Sequence, residues 1–450
     1  MKPYSIRTIL VVLLSSVPVG LRASQTAPTP DGIEITPELV DRLVVEGQAN
    51  NPALQAAGAR TEAANSAIAA VRTWDDPTAS FGLSAPTARG FQSSQEGNLI
   101  YGLDQRLPLY GRPDLMRKVA AADASREQLA SDFETQKLRR DIQVALLGLA
   151  LASRDEEVAE QDLAWLDATL EAVDHRYRVG QASQVDWLKA QTARAMATDA
   201  LKTKAAERAH SAFALNRLLN RDLHSRWPQV AIPSLQPAIY YTSQLVDAAL
   251  ASEPRLKVMR QESVSAQAAA DLTHRQRLPD VSVGLEARQY SGDGGFREGT
   301  ATVSFSVPWV NRDRYGADWR RDQQRKRASE LSALDYALSV REELHHHVVE
   351  LDTARREAVL YRDQLIPLAQ QTLTSSQAAW EHDLGPFQDI LDAHRMLLAD
   401  DLALAGALTD QGTLLSELSF LTGSRDVGAL ASLAGEPPPD HDDPAPDTSK

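Results

Sequence analysis

The sequence contains no cysteine. That excludes disulfides, thiolate metal sites and thiol catalysis. It also excludes a lipid anchor carried on an N-terminal cysteine. Basic charge is in deficit, with 47 Lys and Arg against 61 Asp and Glu and a net charge of −14. Nonspecific nucleic-acid binding needs a basic surface, so nucleic acid is not expected as a partner. Beyond the N-terminus no apolar run is long enough to span a bilayer as a helix. A membrane β-barrel stays open, since its signal is only short alternating segments. Proline is absent between Pro113 and Pro228, where Gly148 and Gly180 are the only glycines. No HExxH-like or nucleophile arrangement is present, so a metal-dependent hydrolase is not supported and no cofactor is implied.

What is present is a duplication. Asn51-Pro-Ala-Leu54 opens a stretch that ends in Asp76-Pro-Thr-Ala-Ser-Phe-Gly-Leu83, and Glu253-Pro-Arg-Leu256 opens another that ends in Pro279-Asp-Val-Ser-Val-Gly-Leu285. At constant offset Pro52 matches Pro254, Leu54 matches Leu256, Ala64 matches Ala266, and Pro77, Ser80, Gly82 and Leu83 match Pro279, Ser282, Gly284 and Leu285. Leu107-Pro-Leu109 answers Val307-Pro-Trp309. A period of about 200 residues is too long for a solenoid and implies two domain-sized units sharing one fold.

Residues 1–23 read as a secretory signal peptide, with Lys2 and Arg7 before the apolar core that Ile9-Leu-Val-Val-Leu-Leu14 begins, and Leu21-Arg-Ala23 at the cleavage site. Residues 24–35 read as a flexible lead and 436–450 as a disordered acidic, proline-rich tail. The first repeat spans 36–227, with strands about 78–86 and 98–108 and a helical hairpin about 113–220. The second spans 237–424, with strands about 280–289 and 300–309 and a hairpin about 315–422. The stretch 113–178 alone would make a helix about 100 Å long, and Pro367 marks a kink in its counterpart. Narrow apolar seams in these helices suit coiled-coil packing.

The strands alternate. Phe81 and Leu83, Tyr101 and Leu103, Val283 and Leu285, and Val303 and Phe305 are apolar, with Ser, Gly, Asp or Thr between them. Gly- and Ser-rich connections at 86–97 and 290–299 join each pair. Four strands cannot close a barrel in one chain, but several chains together could, with lipid outside and water inside. A soluble periplasmic coiled-coil scaffold is the rival from another class; it gains nothing from apolar strand faces in water.

With the motifs Tyr177-Arg-Val-Gly-Gln-Ala-Ser-Gln-Val-Asp-Trp-Leu-Lys-Ala-Gln191 and Trp380-Glu-His-Asp-Leu-Gly-Pro-Phe-Gln-Asp-Ile-Leu-Asp-Ala393 at the two hairpin turns, residues 36–424 resemble the TolC-like outer-membrane efflux family. The resemblance implies a mainly α fold with a small β part. Three protomers would share a twelve-stranded outer-membrane β-barrel and a coiled-coil α-barrel in the periplasm, with short helices at about 37–48 and 237–252 in an equatorial belt. It implies a passive exit duct serving an inner-membrane pump, of the resistance-nodulation-division type, and a periplasmic adaptor. A duct for type I protein secretion is the rival within the family. The Tyr110-Gly-Arg-Pro113 turn looks somewhat like the heavy-metal efflux branch.

The same resemblance places adaptor contacts at Gly180, Gln181, Ala182 and Ser183 and at Leu384, Gly385, Pro386 and Phe387. It places a periplasmic gate at Asp389 and Asp392, with Asp186 as an acidic partner in the first tip. Asp389 and Asp392 are spaced i,i+3, which puts both on one helical face. Three copies would then ring the axis with carboxylates, a constriction that favours cations. The family's best-known member carries an arginine where this chain has Gly385, which leaves Asp186 without that partner. His345, His346 and His347 are adjacent and point apart on a helix, so they do not suggest a metal site. Arg320, Arg321, Arg325, Lys326 and Arg327 form a basic cluster that could meet lipid headgroups or water.

Overall fold

The motif that opens each repeat is a helix start. In the computed structural model, which describes residues 32–84, 98–290 and 293–435, Asn51 caps one helix by accepting from Ala53 N at 2.8 Å, and Glu253 caps another by accepting from Leu256 N. In both, proline takes the first helical position, where its missing N–H costs nothing. The signal peptide, most of the lead, the connection 86–97, residues 291–292 and the acidic tail lie outside the described residues.

The first half runs α1 (Pro37–Asn50), α2 (Pro52–Ala70), β1 (Thr78–Ser84), β2 (Asn98–Arg106), α3 (Arg112–Arg178) and α4 (Gln184–Leu219). The second repeats that order: α5 (Ser243–Ser252), α6 (Pro254–Gln276), β3 (Val281–Tyr290), β4 (Phe296–Phe305), a 3-10 turn at Pro308–Asn311, and α7 (Arg312–Leu360). A π-helical turn at Tyr361–Leu365, α8 (Ile366–Glu381) and α9 (Phe387–Thr422) follow, and α10 (Val427–Ala434) closes the described chain. Among the described residues no helix is long and apolar enough to cross a membrane.

Each half has its own core at mid-height. Leu138, Ile142, Leu146 and Leu149 of α3 meet Leu39, Val40, Leu43 and Val44 of α1 and Leu215 and Leu219 of α4. Val340, Leu344, Val348 and Leu351 of α7 meet Leu245 and Ala249 of α5, Leu415, Leu418 and Leu421 of α9, and Leu430 of α10. The spacing along α3 and α7 is the same, so one helical stripe faces inward in both halves. A third cluster gathers at the far end of the hairpins.

The four strands form one antiparallel sheet in the order β1-β2-β3-β4. Phe81 lies opposite Tyr101, Leu103 opposite Leu285, and Val283 opposite Val303. Opposed residues share a face, so all eight apolar strand positions stand on one side. The other side carries Ser80, Gly102, Asp104, Ser282, Glu286 and Thr302, with Arg288 paired to Glu286 at 3.1 Å. Ile100 is the large apolar exception.

Several boundaries differ from the sequence expectations. β4 starts at Phe296, not near 300, because Phe296 pairs with Gln289 and its ring sits 6.0 Å from Tyr101. Between the two strands Gly294, at φ 70°, donates its N–H to Tyr290 O. α5 starts at Ser243 rather than 237, where Thr242 caps it. Residues 32–35 are held, not free: Ile33 N donates to Gln229 O at 2.8 Å and Ala231 N donates back to Ile33 O. Pro367, expected to mark a kink, stands in the first turn of α8 just after the π turn at Tyr361–Leu365. The π turn just before it spaces the bonds more widely and absorbs the missing N–H. α10, capped by Asp426, lies beyond the expected end of the second repeat.

Candidate functional site

Each long hairpin ends in a tight turn built by one left-handed residue. In the first tip that residue is Gly180, at φ 77°, where only glycine is free of strain. Gln181 N then bonds Arg176 O at 2.8 Å. Ser183 and Asp186 form a capping box that starts α4, with the Ser183 hydroxyl 2.8 Å from the Asp186 carboxylate. The acid expected to lack a partner thus finds one three residues away.

In the second tip the left-handed residue is Asp383, at φ 58°. Gly385, two positions on, takes no left-handed angle. Gly385 packs closely, since a Cβ there would meet Ala379 Cβ at 3.2 Å and the neighbour would have to give by a few tenths of an ångström. Arg176, in the last turn of α3, donates to Asp383 at 2.8 Å and to Trp380 O at 3.2 Å, and its guanidinium lies 4.2 Å over the Trp380 ring. It ties the first tip to the second.

Leu384 stands out as the most exposed large apolar side chain of the tips, at 82%. Gln181, Ser183 and Pro386 are also exposed, and Ala182 is half-buried. Phe387 is buried. It is 1% exposed and packs under Trp380, Ile390 and Leu391 with Leu166 and Val173 of α3. Its role is to anchor the tip from inside, a correction to its expected place on a contact surface.

The periodicity of α9 separates two faces. Phe387, Ile390, Leu391 and His394 turn inward, and Asp389 and Asp392 turn out to solvent together. Asp392 accepts from Gln388 at 2.9 Å and lies 3.7 Å from Arg395. Asp389 forms no ion pair among the described residues. His394 was not singled out from the sequence, although its i+7 spacing from Phe387 marks the buried face. Its Nε2 lies 3.0 Å from Asp162, and its ring stacks on Trp165 at 3.6 Å.

The three adjacent histidines diverge as helical geometry requires. His345 meets the edge of Tyr241, His346 pairs with Glu350 at 3.1 Å, and His347 turns toward Glu343 at 3.7 Å. Glu343 raises the His347 pKa above its ordinary value, and His347 in turn holds Glu343 below its own. Glu350 on the same helix, Glu417 of α9 and Arg140 and Asp141 of α3 also face this cluster. The charged His347 therefore stabilises the fold fully below the unfolded histidine value of about 6.5, and the gain is lost as pH rises through the raised folded value. The melting temperature of the wild type should fall more between pH 6 and pH 8.5 than that of His347→Gln; equal slopes would remove His347 from the titration.

The basic cluster after β4 is largely neutralised by its own helix. Arg321 pairs with Asp318 and Asp322, Arg325 with Asp322, and Lys326 with Glu330.

A model of the family described as "Outer membrane efflux protein" matches residues 43–221 and 245–424. No curated protein matches by sequence. Among solved structures, the outer-membrane channel OprN aligns with a TM-score of 0.74 at 17% identity, covering 86% of this chain and 90% of that one. CusC, whose structures concern folding and transmembrane channel formation, aligns at 0.75 with 16% identity, covering 86% and 92%. The outer membrane protein VceC from Vibrio cholerae aligns at 0.72 with 18% identity, covering 86% and 96%. At these identities the structures speak for the fold, and the matched family model for membership. The chain belongs to the outer membrane efflux protein family.

Proposed function

We propose that three copies of this chain form the passive exit duct of a tripartite efflux system in the outer membrane. The observation that carries this reading is the two-faced sheet, which continues directly into helices of 67 and 49 residues. One strand face is apolar apart from Gln105 and Gln289 near the strand ends, and fits lipid. The other is small and polar and fits water. α3 is about 100 Å long, some three times the hydrocarbon thickness of a bilayer, so the hairpins reach far from the sheet. Their tips, where Leu384, Gln181 and Ser183 are exposed, are the surface for a periplasmic adaptor. An inner-membrane pump supplies the energy, since a duct of this form has no energy source of its own.

The constriction in this reading is the outward face of α9. Asp389 and Asp392 from three copies would set six carboxylates around one axis, and close like charges disfavour joint ionisation. Bound cations or protons would relieve the ring. Replacing both with alanine should raise single-channel conductance in planar bilayers and weaken block by divalent cations from the tip side. Unchanged conductance together with unchanged block would make both residues ordinary exposed acids near a helix N-terminus, where the dipole favours them.

A further inference from the structure

Both outer edges of the sheet, β1 and β4, are unpaired among the described residues. Antiparallel ladders alternate strictly, which fixes the groups left free. Ser306 N bonds Asp280 O and Leu107 N bonds Val281 O. Even-numbered residues of β4 therefore face β3, and Val303 and Phe305 turn their N–H and C=O groups outward. By the same alternation Ala79, Phe81 and Leu83 of β1 turn outward. In lipid such groups must find partners.

We propose that β4 of one copy pairs antiparallel with β1 of the next, with Phe305 opposite Phe81, Val303 opposite Leu83 and Ser304 opposite Gly82. This rests on the outer-membrane trimer above and specifies its seam. The template is inside the chain. β2 and β3 join the first half to the second, so β4 and the next β1 are their counterparts, joining the second half to a new first half. Gln105 lies opposite Val283. Aligning Leu107-Pro108 with Val307-Pro308, and Pro77–Leu83 with Pro279–Leu285, carries that pair onto Phe305 and Phe81.

The two hairpins are not identical. Val281 faces Phe305, whereas its counterpart Ala79 faces Leu103 rather than Gln105. The repeat alone therefore also allows Phe305 opposite Leu83. Strand tilt decides between them. With Phe305 opposite Phe81 the sheet steps about six residues per copy, which tilts the strands of a closed three-copy barrel by about 47°; the alternative steps about eight and tilts them by about 55°. Barrel strands usually tilt about 35–45°, so the first register is favoured.

A second observation falls on the same seam. Arg112, at the first position of α3, is tied to the Asp280 carboxylate and to the backbone oxygens of Arg275, Gln276 and Leu278. Arg312 holds the same position in α7, but its side chain is exposed and makes no hydrogen bond or ion pair among the described residues. The counterpart acceptors are the backbone oxygens of Thr73, Trp74 and Asp76 in the neighbouring copy, which the proposed pairing brings alongside.

The chain's lack of cysteine makes the test direct. Ser304 and Gly82 would form a non-hydrogen-bonded pair, whose side chains approach closely. A Cβ at Gly82 meets nothing nearer than Ile100 Cβ at 3.6 Å. Outer membranes carrying G82C with S304C, oxidised and run without reductant, should convert most of the protein to covalent trimers. S80C with S304C and S84C with S304C should stay largely monomeric under the same conditions. Linkage through S84C or S80C instead overturns the register and leaves the trimer standing. No linkage in any pair overturns the seam, and the trimer falls with it if the unmodified protein is also monomeric in mild detergent.

Discussion

Replacing Phe387 with alanine should destabilise the hairpin tips by about 3–5 kcal/mol, the range for deleting a buried aromatic ring. Phe387 is the largest fully buried side chain among the described residues. Its ring lies 5.6 Å from Trp380 and fills the space between α9 and the end of α3. Removing it leaves a cavity under the residues that Arg176 ties together. The Arg176–Asp383 pair cannot compensate, because Asp383 is largely exposed and such pairs contribute about 0–1 kcal/mol. The mid-height cores do not touch this cluster, so the loss should be local. Limited proteolysis should cut Phe387→Ala near residues 380–386 well before the wild type, with the strand region still protected. Equal cutting rates would mean that the third core does not hold the tip.

Replacing Leu285 with lysine should destabilise the membrane-inserted protein by about 2–4 kcal/mol, and Thr302→Lys by no more than about 1 kcal/mol. Leu285 lies mid-strand in β3, opposite Leu103 and Ala301, on the apolar face. Thr302 lies opposite Gly284 on the polar face. Both sites are exposed in a single copy, so a soluble sheet would tolerate either lysine. Only lipid on one side separates them. Denaturant midpoints in detergent or bilayers, with assembled yield as a second readout, give the comparison. Equal tolerance would contradict the assignment of faces.

Much of this architecture was legible in the sequence because it depends on local rules. Asn51-Pro52 and Glu253-Pro254 start helices by capping and a fixed proline φ. The alternation of Val281 to Ala287 states a strand and its two faces at once. The helical spacing of Asp389 and Asp392 gave their shared face. What stayed hidden depends on contacts between distant segments or on single backbone angles. Arg176 meets Asp383 across 207 residues, and no local pattern announces the pair. Asp383 takes the left-handed turn that Gly180 takes in the first tip, although glycine stands only two positions later. Phe387 sits in a turn motif that looks exposed, and only the packing of four helices shows it buried. The start of β4 at Phe296 follows from a ring contact with Tyr101 that crosses the sheet.

The most direct test of the central claim is the native mass of the protein extracted from outer membranes in mild detergent. Three copies per particle are expected, because both outer edges of the four-stranded sheet need partners in lipid. A monomer recovered from the soluble periplasmic fraction would contradict the duct.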